Sequence, residues 1–210
     1  IKVNAVALNH LDIWVRRGWK GLRLEMPHIS GSDIAGEIVA VNGGSNWSKG
    51  TRVIVNPGVS TTEDEWTRRG EDSISPGYRI IGEQFRGGMA ELVTVPISNV
   101  FKIPVGLSDE DACAPLLVGV TCWRMLLKRA NLRAGETILV VGSGGGVNSL
   151  AISLAHKIGA TIFALAGSGK KGEKARELGA KEVIDYSKTP NWPVEILKLT
   201  KGRGVDVVVD

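Results

Sequence analysis

Thr137-Ile-Leu-Val-Val-Gly-Ser-Gly-Gly-Gly-Val-Asn148 is a short β-branched run that breaks into a glycine cluster and then opens a helix. With no Cβ at Gly142, Gly144, Gly145 and Gly146, the amides of this turn and the helix N-terminus behind it can meet a pyrophosphate directly. The expected dinucleotide contacts are therefore Gly142, Ser143, Gly144, Gly145, Gly146 and Val147. The literal Gly-x-Gly-x-x-Gly is broken, since Val147 falls where the third glycine would stand. Asn148 comes next and reads as a tolerated substitute for glycine. Spaced glycines alone also suit an ordinary strand-to-helix turn, so the context has to favour a nucleotide. It does: Leu150, Ala151, Leu154, Ala155 and Ile158 form one apolar helical face, and Thr161 to Ala166 reads as a second strand.

The end of that second strand bears on the choice of cofactor. In the NAD form of such a unit an acidic residue about 20 positions beyond the glycines accepts the ribose hydroxyls. Here Ala166 is followed by Gly167-Ser168-Gly169-Lys170-Lys171, a hydroxyl and two cations where a carboxylate would repel a 2′-phosphate. NADPH is expected over NADH. The plainer reading is that the two lysines only cover a solvated helix start.

The composition of the 210 residues, 43% hydrophobic and 23% charged, is that of a globule able to bury a core. A net charge of +4 is spread among acids, with only short basic clusters such as Arg16-Arg17, Arg68-Arg69 and Lys170-Lys171, so no nucleic-acid partner is expected. Cys113 and Cys122 make no disulfide framework, and no apolar run approaches a membrane span or a signal segment. A cytoplasmic location and a small-molecule substrate are the defaults. The chain opens inside one strand-like run, Ile1 to Leu8, and stops inside another, Val205 to Asp210, as a fragment of a longer polypeptide would.

From Ile1 to about Val105 short β-prone runs at Ile38 to Val41, Arg52 to Val55, Ala90 to Val95 and Asn99 to Ile103 lie among turn residues, which predicts an irregular β domain. Between them, Asn56 to Gly88 is a long polar insertion of the kind that usually carries or once carried a function. Ser108 with the acids after it signals a helix start; Asp111 to Leu117 and Val120 to Ala130 can form two helices. From Thr137 strands and helices alternate at 137–141, 149–158, 161–166, 170–178, 182–186, 193–200 and 205–210. That order predicts a parallel sheet with helices on both faces.

Five strings add specificity through their order and spacing: Asn9-His-Leu-Asp12-Ile-Trp-Val-Arg-Arg-Gly18, Gly31-Ser-Asp33-Ile-Ala-Gly36, Thr121-Cys-Trp-Arg124, Glu177-Leu-Gly-Ala180 and Gly202-Arg-Gly-Val-Asp-Val-Val-Val-Asp210. Together they resemble the medium-chain dehydrogenase/reductase superfamily over the whole chain, short of the family's first strand and of everything after the fourth strand of its nucleotide domain. The resemblance implies a GroES-like β-rich catalytic domain at 1–106, a Rossmann doubly wound parallel sheet at 107–210, an active site in the cleft between them, and a homodimer in the full-length protein.

The superfamily contains zinc alcohol dehydrogenases and zinc-free reductases, and a catalytic zinc needs three or four Cys, His or carboxylate ligands. At the family's ligand positions this chain has Asn9 for Cys, Ser32 followed by Asp33 for the His-Glu pair, and Leu117 for Cys. The four cysteines of the structural zinc lobe correspond to Thr61, Asp64, Thr67 and Ser75, within the insertion. His10, His28 and His156 have no partner at metal-binding spacing. No metal is expected.

What is left resembles the zinc-free quinone oxidoreductases. Their Asn-x-x-Asp pair matches Asn9 and Asp12, their threonine near the nicotinamide matches Thr121, and the residues around the NADPH adenosine phosphate match Ser168, Lys171 and Tyr186. Their active-site tyrosine is Trp14 here, and an indole cannot serve as an acid. The implied activity is zinc-independent, NADPH-dependent delivery of hydride to a quinone, enone or related conjugated carbonyl, with Asn9, Asp12 and Thr121 as candidate catalytic residues. An alcohol or polyol dehydrogenase-like enzyme and a non-catalytic NADPH-binding protein are the alternatives.

Overall fold

The structure, a computed structural model, describes residues 1–43 and 46–210. The chain forms two compact units, Ile1–Leu117 and Val118–Asp210.

The first unit is built on a four-stranded antiparallel sheet of β1 (Lys2–Ala7), β2 (Asp33–Glu37), β3 (Arg52–Val55) and β6 (Val100–Lys102), in that spatial order. Successive side chains of a strand face opposite ways, and the core divides accordingly. Ile34 and Val55 meet Val59, Ile81 and Val93 on one face. Ala35 and Ile54 meet Ile103, Ala112 and Cys113 on the other, where α3 (Asp109–Cys113) closes the sheet. α1 (His10–Arg17) follows β1 directly. The insertion is more structured than its polarity suggests: β4 (Gly58–Ser60) pairs antiparallel with β5 (Tyr78–Ile80), and α2 (Glu65–Arg68) lies between them.

Two of the expected strands fail. β2 runs upstream of Ile38 to Val41, because Asp33 to Glu37 is the stretch with partners on both sides; beyond it Ile38 donates to Thr51 and accepts from Gly50, closing a turn. Among the described residues Ala90 to Val95 contributes a bridge between Lys2 and Leu92, flanked by a bond from Val3 to Glu91 and by a pair of bonds exchanged between Ile1 and Val93. Ser108 caps α3 by accepting from the Asp111 amide at 3.0 Å, so the helix begins at Asp109, two positions before the expected start. Residues 107–117 pack with the first unit, whereas the sequence reading placed them in the second.

α4 (Leu116–Trp123) starts earlier than its expected Val120 and runs into a π-type turn at Arg124–Arg129. The second unit is a parallel sheet in the order β10 (Val207–Val209), β7 (Thr137–Val140), β8 (Thr161–Ala166), β9 (Glu182–Asp185). Ile138, Val140, Ile162 and Ala164 pack against α5 (Gly146–Ile158) and α6 (Gly169–Glu177). Leu139, Phe163 and Leu165, one residue out of phase, pack against α7 (Trp192–Leu199). Helices therefore cover both faces, as the alternation predicts. No helix among the described residues is long and apolar enough to cross a membrane.

Candidate functional site

In the first unit the β1–β2 register places Ala7 opposite Asp33, and Asn9 follows two residues later as the residue that opens α1. The Asp12 carboxylate accepts from the Asn9 backbone amide at 2.7 Å and from the Gly31 amide at 3.1 Å. Both of its oxygens thus hold backbone, which ties the start of α1 to the loop before β2. That loop turns at Gly31, whose φ of +99° strains any side chain and whose added Cβ would meet Met89 Cγ at 2.9 Å.

The side-chain amide of Asn9 donates to Asp33 Oδ2 at 2.8 Å, and the Leu117 backbone amide donates to Asp33 Oδ1 at 2.7 Å. Leu117 sits in the first turn of α4, where amides have no intrahelical acceptor, so the Asp33 carboxylate caps that helix as well as fixing Asn9. Asp33 is fully buried. Burial pushes its carboxyl up to about 6 against the two hydrogen bonds that favour the ion, and the nearby Asp12 charge acts in the same direction as burial. Sequence reasoning noted Asp33 only as a missing ligand; an acid inside a strand as apolar as Asp33-Ile-Ala-Gly-Glu37 was the signal that it needed partners. Trp14 is half exposed, with His10 edge-on at 4.9 Å, and Thr121 lies on an exposed position of α4.

This donor set does not fit a catalytic zinc. Asn9 and Leu117 present N–H groups, which are donors, and the one carboxylate is already engaged by both. Among the described residues no group of three His, Cys, Asp or Glu side chains comes together. The four positions of the structural zinc lobe form hydrogen bonds instead. Ser75 Oγ donates to Asp64 Oδ2 at 2.6 Å, the Trp66 and Thr67 amides donate to Asp64 Oδ1 at 2.9 and 3.0 Å, and Thr67 Oγ1 accepts from the Asp64 amide at 2.9 Å. Thr61 turns away to the Gly77 carbonyl at 2.7 Å. The Ser75 hydroxyl, with these amides, holds the Asp64 carboxyl below the ordinary carboxylate value.

In the second unit β7 delivers the chain into the glycine turn. Gly142 takes φ +80°, Ser143 donates its amide to Leu165 at 2.9 Å, and Gly145 is the extended residue before α5. The Ser149 amide makes the first intrahelical bond, to Gly145, so the amides of Gly146, Val147 and Asn148 are left for an external acceptor. Ser143 Oγ is buried with no hydrogen-bond partner among the described residues, as a hydroxyl awaiting an anion would be. Among the described residues a Cβ built on Gly145 meets nothing within 4 Å, and one on Gly146 meets only Val118 at 3.4 Å. Cys122 Sγ donates to the Val147 carbonyl at 3.0 Å, and burial pushes that thiol up to about 11, so it is inert.

Gly144 is covered by the side chain of Lys171, whose Cδ lies 2.8 Å from an added Cβ. Ser143, Gly144, Lys170, Lys171 and Lys174 are among the walls of an open pocket of about 480 Å³. Ser168 opens α6 without capping it through its side chain. Tyr186 pairs its amide with the Ala166 carbonyl at 3.1 Å and lays its hydroxyl against Gly167. The structure thus brings Lys171 to the glycine turn and Tyr186 to the end of β8. A buried orphan hydroxyl, unpaired helix amides and a lysine-walled pocket fit the pyrophosphate and phosphate groups of a dinucleotide.

Residues 1–105 match the family described as alcohol dehydrogenase GroES-like domain, and residues 146–210 match zinc-binding dehydrogenase. An NAD-dependent alcohol dehydrogenase of Sulfolobus acidocaldarius is 31% identical over all of this chain and 62% of its own length. The quinone oxidoreductase of Homo sapiens is 28% identical over all of this chain and 56% of its own. A solved NAD-dependent alcohol dehydrogenase superposes with a TM-score of 0.93 at 40% identity, over 99% of this chain and 61% of its own. The chain therefore spans about three fifths of the length of such relatives.

Proposed function

The chain belongs to the medium-chain dehydrogenase/reductase superfamily, with a GroES-like domain and a Rossmann-like parallel sheet, and from that premise we propose that the whole protein is a zinc-independent, NADPH-dependent oxidoreductase acting on a quinone, enone or related conjugated carbonyl. The observation that carries this reading is the Asp33 carboxylate, whose two oxygens are taken up by the Asn9 side chain and the Leu117 amide where a zinc enzyme needs ligands.

When bound, the nicotinamide cofactor supplies the hydride. The glycine turn from Gly142 to Val147, through the free amides at the start of α5 and Ser143 Oγ, would hold the pyrophosphate; Ser168, Lys171 and Tyr186 would hold the adenosine phosphate end. Asn9, kept in one orientation by Asp33, would offer its second N–H to the substrate, and Thr121 is kept as a candidate catalytic residue on the resemblance. Asp12 is a positioning residue, since both of its oxygens hold backbone. An alkoxide needs stronger stabilisation than two neutral donors give, whereas a conjugated acceptor spreads the incoming charge. Homodimerisation and a cytoplasmic location rest on the resemblance and composition alone.

A second reading, an NAD-dependent alcohol dehydrogenase, is favoured by the names of the archaeal relatives. Titration of the protein with NADPH and NADH separates the two: tighter NADPH supports the proposal, and tighter NADH overturns its cofactor.

A further inference from the structure

Asn148 is not the inert departure from glycine that the sequence suggests. It lies in the first turn of α5, and its side-chain amide donates both of its hydrogens backwards, to the Val141 carbonyl at 2.6 Å and to the Gly142 carbonyl at 3.0 Å. These are the last two carbonyls before the turn. Val141 still joins the sheet through its amide, which donates to Val209 at 2.8 Å, while Gly142 with φ +80° leaves it. Among the described residues the Asn148 nitrogen is also the only atom outside the local chain within 4 Å of a Cβ built on Gly142. One side chain therefore fills the inside of the turn and satisfies two carbonyls that a glycine at the same position would leave to water.

We propose that Asn148 is a positioning residue, whose amide clamps the Val141 and Gly142 carbonyls and so holds the glycine turn in the shape that presents the α5 amides and Ser143 to a dinucleotide pyrophosphate. This rests on the dinucleotide reading above. The clamp touches no part of the adenosine phosphate pocket, so it serves NADPH and NADH alike, unlike Lys171. It also acts before any ligand arrives.

Calorimetric titrations of NADPH and NADH into the wild type, Asn148→Gly and the near-isosteric Asn148→Asp test it, together with amide hydrogen exchange at Ser143 in the ligand-free proteins. Both variants should lose about tenfold or more in affinity, by the same factor for the two cofactors, as expected for two lost hydrogen bonds. Exchange at the Ser143 amide should accelerate without ligand. Asn148→Asp should recover affinity as pH falls and its carboxyl regains a proton to donate, while Asn148→Gly should not. Unchanged or tighter binding by either variant overturns the assignment. So does a loss confined to NADPH, or a loss with unaltered exchange at Ser143, which would mean a direct ligand contact. A wild type that binds neither cofactor overturns the dinucleotide reading itself, and the clamp with it.

Discussion

The Asn9 side-chain amide and the Asp33 carboxylate, 2.8 Å apart, join the start of α1 to a buried position of β2, and the other oxygen of Asp33 holds the first turn of α4. A single acidic side chain thus links three segments. Each consequence can be measured.

Stability should depend on pH through Asp33. Its folded carboxyl titrates at about 6, above the unfolded value, so its contribution is complete below the unfolded value and is lost as pH rises through about 6. The wild type should gain about 1 kcal/mol between pH 7 and pH 5. Asp33→Asn should remove that part of the slope and cost about 1 kcal/mol throughout, because its amide can accept from only one of the two donors. Glu83, also raised by burial, adds a slope of the same sign that survives in the variant. Urea melts at several pH values check this; parallel wild-type and variant curves contradict it.

Asp64 should behave in the opposite sense. Its carboxyl is held below its ordinary value, so its contribution is present at neutral pH and is lost as pH falls through the lowered value. Asp64→Ala should lower the melting temperature at pH 7 and speed hydrogen exchange at the Trp66 and Thr67 amides, which donate to it. Unaltered exchange there would show that the network does not hold the lobe.

Lys171 should discriminate between cofactors. Its exposed side chain lies over Gly144, and in the proposed reading it holds the adenosine phosphate, so Lys171→Ala should weaken NADPH by a factor of roughly 3 to 10 and leave NADH nearly unchanged. Equal losses for both cofactors would place Lys171 on the shared part of the dinucleotide.

Gly146 should separate folding from binding. The space around its Cβ direction is open except for Val118 at 3.4 Å, so Gly146→Ala should fold with a melting temperature near that of the wild type. Gly146→Val should bind no dinucleotide, since its side chain stands where the pyrophosphate meets the helix amides. Normal binding by the valine variant would move the pyrophosphate elsewhere.

Much of the second unit could be read from the sequence because its strands are β-branched or apolar runs bounded by glycine turns; Thr161–Ala166 falls at the expected residues. The first unit was harder. Ile38 to Val41 and Ala90 to Val95 have strand-like composition, yet composition does not say which run has neighbours on both sides, and the strand that does contains Asp33 and Gly36. Side-chain roles were hidden for a related reason. The partners of Asp12 and Asn148, and one of the two partners of Asp33, are backbone amides and carbonyls, which nearly every residue carries, so no residue type marks them. Asp12 was expected at the reaction, and its two oxygens accept from backbone amides; Asp33 and Asn148 were read as departures from a motif, and their side chains make hydrogen bonds to Asn9 and Leu117 and to the Val141 and Gly142 carbonyls.

Oxidation of NADPH by the full-length protein, freed of metal with a chelator and verified by elemental analysis, against a panel of quinones, enones and aldehydes tests zinc-independent reduction without an intermediate assumption. NADPH should be consumed with at least one quinone or enone at the same rate before and after chelation, and Asn9→Ala should slow it by about tenfold or more through loss of the donor that Asp33 orients. Turnover that appears only when zinc is restored, or no turnover of any acceptor by a protein that binds NADPH, would contradict the proposed activity.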